Sequence, residues 1–240
     1  MPRFFSEQVG DGSVRIEGQD AAHISKVLRM KTGDTLVVCD CKGSDHFCKI
    51  IHLEQGVVKL AILRTEPSAS EPSVSVTLYQ ALPKSDKMDL IVQKCVELGV
   101  KRIVPVITSR CVSRPDGKAI VSKVERWNKI AVQAAKQSGR GILPAVEQAY
   151  GFRQALGKLA SHESGILFYE QNGGRLSESL KGTEQDIGIF VGPEGGFEQE
   201  ETDAAAQCGI AIAGLAPRIL RTETAPLCAL SAIMFATGNI

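Results

Sequence analysis

The sequence predicts an α/β protein in two parts, a small, mostly β domain over residues 1–72 and a larger α/β domain over residues 73–240. Three observations carry this prediction. The first seventy residues read as short alternating apolar runs separated by turn signals. The segment Glu66-Pro-Ser-Ala-Ser-Glu-Pro-Ser73 then combines two prolines with three serines and shows no apolar period, as a linker does. From Val74 onward strand-like runs alternate with helical stretches, the succession that builds a parallel sheet.

In the first part, Thr35-Leu36-Val37-Val38-Cys39 and Phe47-Cys48-Lys49-Ile50-Ile51 are strands flanked by turns at Gly33-Asp34 and Lys42-Gly43-Ser44-Asp45. One helix is expected over residues 19–29, where Asp20 suits the first turn and Ile24, Val27 and Leu28 share a face. In the second part Val74, Val76 and Leu78 lie on one face of a strand. Met88, Ile91, Val92 and Cys95 give a helix over residues 86–98 that Gly99 stops, and residues 103–107 form the next strand. A longer helix follows over residues 119–138, with the apolar stripe Ile120, Val124, Trp127, Ala131 and Ala134. Arg126, Lys129, Gln133, Lys136 and Arg140 recur on its opposite face. Strands at residues 165–169, 187–191 and 210–215 each run into a loop of unusual composition. If they are parallel, all three loops leave the same edge of the sheet, where open α/β folds bind ligands. The last helix, residues 225–237, carries no charge and is apolar nearly all round, so it needs cover from the core or from a second subunit. A homodimer is expected.

Lys and Arg number 28 and Asp and Glu 27, for a net charge of +1. The balance is uneven along the chain: residues 81–140 carry 13 basic and 5 acidic groups, while residues 141–240 carry 6 and 12. One basic block in a neutral protein is either a solvated helix face or a defined surface for nucleic-acid phosphates. No apolar run is long enough for a membrane span and no secretion signal opens the chain, so no membrane partner and a cytoplasmic location are expected. Seven cysteines read as reduced thiols. Cys39-x-Cys41 with His46 and Cys48 lacks zinc spacing, so no metal is expected. The four histidines have no nucleophile motif beside them.

Two segments stand out as chemistry. Gly192-Pro-Glu-Gly-Gly-Phe197 joins a strand to an acidic helix start, Glu198-Gln-Glu-Glu201. It is either a structural turn or a loop whose backbone approaches a flat ligand closely, and it lacks the Lys and Ser/Thr of a phosphate cradle. Glu194 fits both readings. Leu215-Ala-Pro-Arg-Ile-Leu-Arg-Thr-Glu-Thr224 places Arg218, Arg221 and Glu223 between an apolar strand and an apolar helix. These charges either pair with one another or present an arginine to a phosphate or developing anion.

The pair GPEGGF and RILRTETA resembles the ribosomal RNA small subunit methyltransferase E family of the SPOUT superfamily. The resemblance runs the length of the chain through His23-x3-Val27-Leu28-Arg29, Gln80-Ala-Leu-Pro-Lys84, Glu97-Leu98-Gly99-Val100, Arg126-Trp127 and Gln137-Ser138-x-Arg140. It implies a PUA-like β-barrel domain, a SPOUT domain with a C-terminal trefoil knot, and a homodimer. It also implies methylation of N3 of one uridine in 16S ribosomal RNA of the small subunit, with S-adenosylmethionine as methyl donor. The cofactor would lie on Phe168, Tyr169 and Glu170, on Val191, Gly192, Pro193, Glu194, Gly195 and Gly196, and on Leu215, Ala216, Arg218, Ile219 and Leu220. The family usually has Gly where this chain has Ala216. Arg221 is the candidate stabiliser of the uridine anion, with Glu194 and Glu223 as candidate bases if their pKa values are raised. Arg3, Arg29, Lys84, Arg110, Arg126, Lys129, Lys136 and Arg140 are the candidate RNA contacts. The competing readings are a non-catalytic RNA-binding dimer and an α/β enzyme with a nucleotide cofactor.

Overall fold

Over Ser13–Glu17 buried and exposed residues alternate strictly, and this period-2 pattern fixes which face of that strand meets a core. The computed structural model describes every residue except Gln55, Asn172 and Ala216. The chain divides into two units, Met1–Glu71 with Ala135–Leu143, and Pro72–Ala134 with Pro144–Ile240. The first contains β1 (Arg3–Phe5), β2 (Val9–Gly10), β3 (Ser13–Glu17), α1 (Gly18–Ala22), a π-helical turn at His23–Val27, β4 (Thr35–Cys39), β5 (Ser44–Glu54) and β6 (Val57–Pro67). Its sheet has the order β1-β4-β5-β6-β3-β2, antiparallel except for β1 on β4. Val14, Ile16, Ile24, Leu36, Val38, Ile50, Val58 and Leu60 form its core.

The stretch expected as a linker is more ordered than its composition suggests. Glu66 and Pro67 extend β6, Ser68 is buried, and Glu71 accepts hydrogen bonds from Arg140 and from the N–H groups of Gly141 and Ile142. Proline is tolerated at that strand end because its missing N–H is not needed there.

The second unit contains β7 (Ser75–Ala81), α2 (Lys87–Glu97), β8 (Arg102–Ile107), β9 (Ala145–Val146), β10 (Tyr150–Gly151), α4 (Phe152–Leu159), β11 (Ser164–Phe168), β12 (Gly174–Arg175), α5 (Leu176–Ser179), β13 (Asp186–Val191), α6 (Gln199–Gln207), β14 (Ala211–Gly214) and α7 (Ala225–Ala236). The helix α3 (Gly117–Ser138) has its last residues in the first unit. The strand order is β10-β8-β7-β13-β11-β14-β12, parallel throughout, with β9 also parallel to β8. Residues of β7 and β13 are buried in near-continuous runs, the mark of a parallel sheet covered on both faces. Gln80, Val191, Phe168 and Ala213 are aligned partners across β7, β13, β11 and β14. The loops after these four strands therefore start level, at one edge.

The apolar helix α7 packs on α2, β7 and β13 through Pro226, Ala229, Leu230, Ile233 and Met234. Its other side keeps Leu227, Cys228 and Ser231 half-buried and Phe235 76% exposed.

Candidate active site

The level strand ends enclose a cleft of about 290 Å³. Phe168, Tyr169 and Glu170 line it from the end of β11, Val191 to Glu194 and Gly196 from the end of β13, and Leu215, Arg218 to Thr222 from the segment after β14. These are nearly all the residues expected at a cofactor. Ala216 lies outside the described residues. Gly195 does not line the cleft: a Cβ there would meet the side chain of Arg110 at 3.2 Å, so this glycine makes room for an arginine on the outer side of the loop. The glycine that the cleft requires is Gly196. Its φ is +67°, and a Cβ would come within 2.5 Å of the Glu170 carboxylate.

The glycine-rich loop is held along its length, and the Gly196 N–H closes it on the Pro193 carbonyl at 2.9 Å. Thr222 Oγ1 donates to the Gly192 carbonyl at 2.8 Å, and the buried Gln80 amide lies beside both groups. The Lys84 N–H donates to Glu194 at 3.1 Å, and Lys87 Nζ stands 2.9 Å from Glu194 and 3.1 Å from Glu223. Arg110 donates to the Gly195 carbonyl and to Glu198, both at 2.7 Å, while Glu201 accepts from the N–H groups of Glu198 and Ser109. The acidic start of α6 thereby anchors the loop as well as capping its own helix.

The two acidic candidates sit in an environment opposite to the one proton abstraction needs. Burial works to raise the Glu194 pKa, but Lys87, the residue's own N–H and that of Lys84 outweigh it and hold the carboxyl below the usual range. For Glu223 burial is likewise outweighed, by its own N–H, by Lys87 and by Arg221. Both are settled carboxylates at neutral pH, and the Lys87 ammonium is in turn stabilised by Glu194 and then Glu223. Arg221 is exposed at the cleft. No ion pair of 4 Å or less among the described residues engages its guanidinium.

The family model for the RNA methyltransferase domain matches residues 70–234, and that for the RNA methyltransferase PUA domain matches residues 16–61. The chain is 34% identical to the ribosomal RNA small subunit methyltransferase E of Bacillus subtilis (strain 168), over 99% of this chain and 97% of that one. This chain belongs to the ribosomal RNA small subunit methyltransferase E family. It is 30% identical to the family member of Aquifex aeolicus (strain VF5), covering 98% of this chain and 99% of that one. A crystal structure of the family member from Neisseria gonorrhoeae bound to S-adenosyl methionine superposes with a TM-score of 0.84 at 33% identity, covering 98% of this chain and 97% of that one. The chain thus contains a PUA-like domain and a parallel-sheet methyltransferase domain, and Ala135–Leu143, which belongs to the first unit, falls within the methyltransferase match.

The candidate RNA contacts of this family member differ in what already engages them. Arg140 is only 3% exposed, and its guanidinium is clasped by Glu71 at 2.8 and 2.9 Å, so it braces the first unit and is corrected from an RNA contact to a structural residue. Arg3 is similarly engaged by Asp45 at 2.7 Å, by Ser68 and by the Gly139 and Arg140 carbonyls. Arg110 serves the glycine-rich loop. Arg126 pairs with Asp89, and Lys136 stands 4.0 Å from Asp20 and over the Phe5 ring. Arg29, Lys84 and Lys129 remain exposed, and Arg29 adopts a left-handed φ of 51° at the end of the π-helical turn.

Sequence reasoning gave Lys87, Thr222 and Gln80 no role at the site. For Lys87 a signal was present. A lysine as the first residue of a helix faces the positive end of the helix dipole, and such a cation calls for an acidic partner.

Proposed function

We propose that this chain transfers a methyl group from S-adenosylmethionine to N3 of one uridine in the 16S RNA of the small ribosomal subunit. The observation that carries the reading is the cleft at the carboxyl edge of β11, β13 and β14, with an arginine at its border that no ion pair among the described residues engages, in a member of this family. Its donor set suits the methyl donor. Backbone groups around Gly192 and Gly196 and the apolar walls Val191, Leu215 and Leu220 match a flat adenine, and the carboxylates of Glu170 and Glu194 match a cationic ligand. When bound, S-adenosylmethionine supplies an electrophilic methyl group on a sulfonium.

The chain's part is to hold the uracil ring and stabilise its anion. Uridine retains most of its N3 proton at neutral pH, so methylation at N3 requires that proton to leave while negative charge spreads to the ring oxygens. The Arg221 guanidinium, with no acidic partner within 4 Å among the described residues, faces that charge. Glu194 and Glu223, held ionised by Lys87, keep no proton at neutral pH, so the N3 proton ends in solvent and neither carboxylate stores it. Arg29, Lys84 and Lys129 engage RNA phosphates, with lesser parts for Arg126 and Lys136. The reading extends to a closed β-barrel in the first unit, a trefoil knot through the segment after β14, a homodimer through the outer stripe of α7, and action in the cytoplasm. Support for the dimer is the exposed Phe235 on an otherwise apolar helix.

Calorimetric titration with S-adenosylmethionine, followed by methyl transfer to unmethylated small ribosomal subunits and mass-spectrometric location of the methyl group, tests the proposal. Methyl on a uridine N3 is expected, with activity lost in Arg221→Ala. A chain that binds RNA but has no affinity for the donor would be the non-catalytic dimer instead.

A further inference from the structure

We propose that Lys87 is a positioning residue of the cleft, whose single ammonium ties the glycine-rich loop to the arginine-bearing segment and keeps the Glu223 carboxylate away from Arg221. Lys87 opens α2, Glu194 sits in the loop after β13, and Glu223 lies just before α7. Three parts of the chain, remote in sequence, thus meet on one nitrogen, at 2.9 and 3.1 Å.

A lysine at the amino end of a helix opposes the dipole, which offsets part of what these half-buried pairs, with side chains 20 to 30% exposed, add to stability. What the cluster does is geometric and electrostatic. Glu194 already accepts the Lys84 N–H, so the addition of Lys87 fixes the carboxylate from two directions. Glu223 is two residues from Arg221, and the arginine charge already acts on it. With Lys87 removed, Glu223 loses its ammonium partner two residues from the Arg221 guanidinium, whose charge already acts on it, and pairs with it, while Glu194 is left with the Lys84 N–H alone. Arg221 is then drawn off the methyl acceptor and its charge is neutralised.

The role in catalysis rests on the methyl-transfer reading, whereas the tie itself does not. The test compares Lys87→Met and Lys87→Arg in the full chain, with thermal melting to confirm folding. Hydrogen exchange without ligand should be faster in Lys87→Met over residues 192–198 and 217–224 and should return to the wild-type pattern in Lys87→Arg. In methyl transfer, Lys87→Met should lose roughly tenfold or more in kcat, about 1.4 kcal/mol, with little change in KM for RNA, and Lys87→Arg should recover most of it. Glu223→Gln, which keeps the lysine, should loosen residues 217–224 and leave residues 192–198 as they were; this variant decides the matter if Lys87→Met fails to fold. Wild-type exchange in both segments of Lys87→Met, or in residues 217–224 of Glu223→Gln, would overturn the tie. A wild-type chain without affinity for S-adenosylmethionine would overturn the methyl-transfer reading and leave the exchange comparison intact.

Discussion

Single residues decide how close a ligand comes to the backbone of the cleft. Gly196 combines a left-handed φ with a Cβ position already filled by Glu170. In Gly196→Ala the backbone conformation alone costs about 1 to 2 kcal/mol, and the displaced Glu170 disturbs the wall. Affinity for S-adenosylmethionine, read by calorimetry, should fall about tenfold or more. Gly195→Ala should cost less, because its methyl group would press on Arg110 outside the cleft; equal losses in the two variants would contradict this division. Arg140 is a residue of a different kind. Its removal strands the Glu71 carboxylate, which retains only the N–H groups of Gly141 and Ile142. Arg140→Ala should therefore cost roughly 3 kcal/mol in urea denaturation, toward the lower end for a broken buried pair. Burial raises the Glu71 pKa, but Arg140 and the two N–H groups outweigh it and bring it below the ordinary 4.5. A depressed carboxylate contributes stability that is present above the unfolded value and lost as pH falls through the folded one. The wild type should lose stability below about pH 4.5, and Arg140→Ala should show a shallower acid slope.

At the level of elements, helix α7 gives the sharpest contrast. Ile233 is fully buried against the sheet, whereas Phe235, two residues on, is exposed. A charge at 233 therefore enters the core, while a charge at 235 stays in water. Ile233→Glu should unfold the second unit. Phe235→Asp should melt near the wild-type temperature and sediment as a monomer if the outer stripe forms the dimer; a folded dimeric Phe235→Asp would exclude that stripe. Sequence pattern anticipated α2, α3 and α7 within one or two residues, because long helices write a 3.6-residue period over several turns. It also anticipated the cleft, since strand ends and glycine-rich loops are local features. It gave only residues 47–51 of β5, where register shifts at Phe47/Cys48 and Ile50/His52 break the alternation that marks a strand, and named no strand for β6, although each is eleven residues long. Period could not tell that Arg140, in phase with Lys129 and Lys136, lies beyond the end of α3 and turns inward to Glu71. Nor could it pair Lys87 with acids more than a hundred residues away.

For the whole molecule, the charge distribution matters more than its sum. A net charge of +1 gives no general attraction to a polyanion, so RNA affinity has to come from particular cations. Many of the candidates have other work: Arg140, Arg3 and Arg110 are held by acids and carbonyls, and Arg126 faces Asp89. A cation already paired must give up its acid to take a phosphate, and its net contribution is correspondingly small. Arg29 and Lys129 have no such competitor among the ion pairs of the described residues, and both are exposed. Each phosphate contact removed should lower the salt slope of RNA binding by roughly 0.7 to 0.9. The double variant Arg29→Ala/Lys129→Ala should show that reduction for both sites when binding to small-subunit RNA is titrated across salt concentration. Arg126→Ala should change the slope by clearly less than one contact. If the double variant kept the wild-type slope, these two cations would be ordinary solvated surface, and the RNA-binding face would have to be sought elsewhere on the protein.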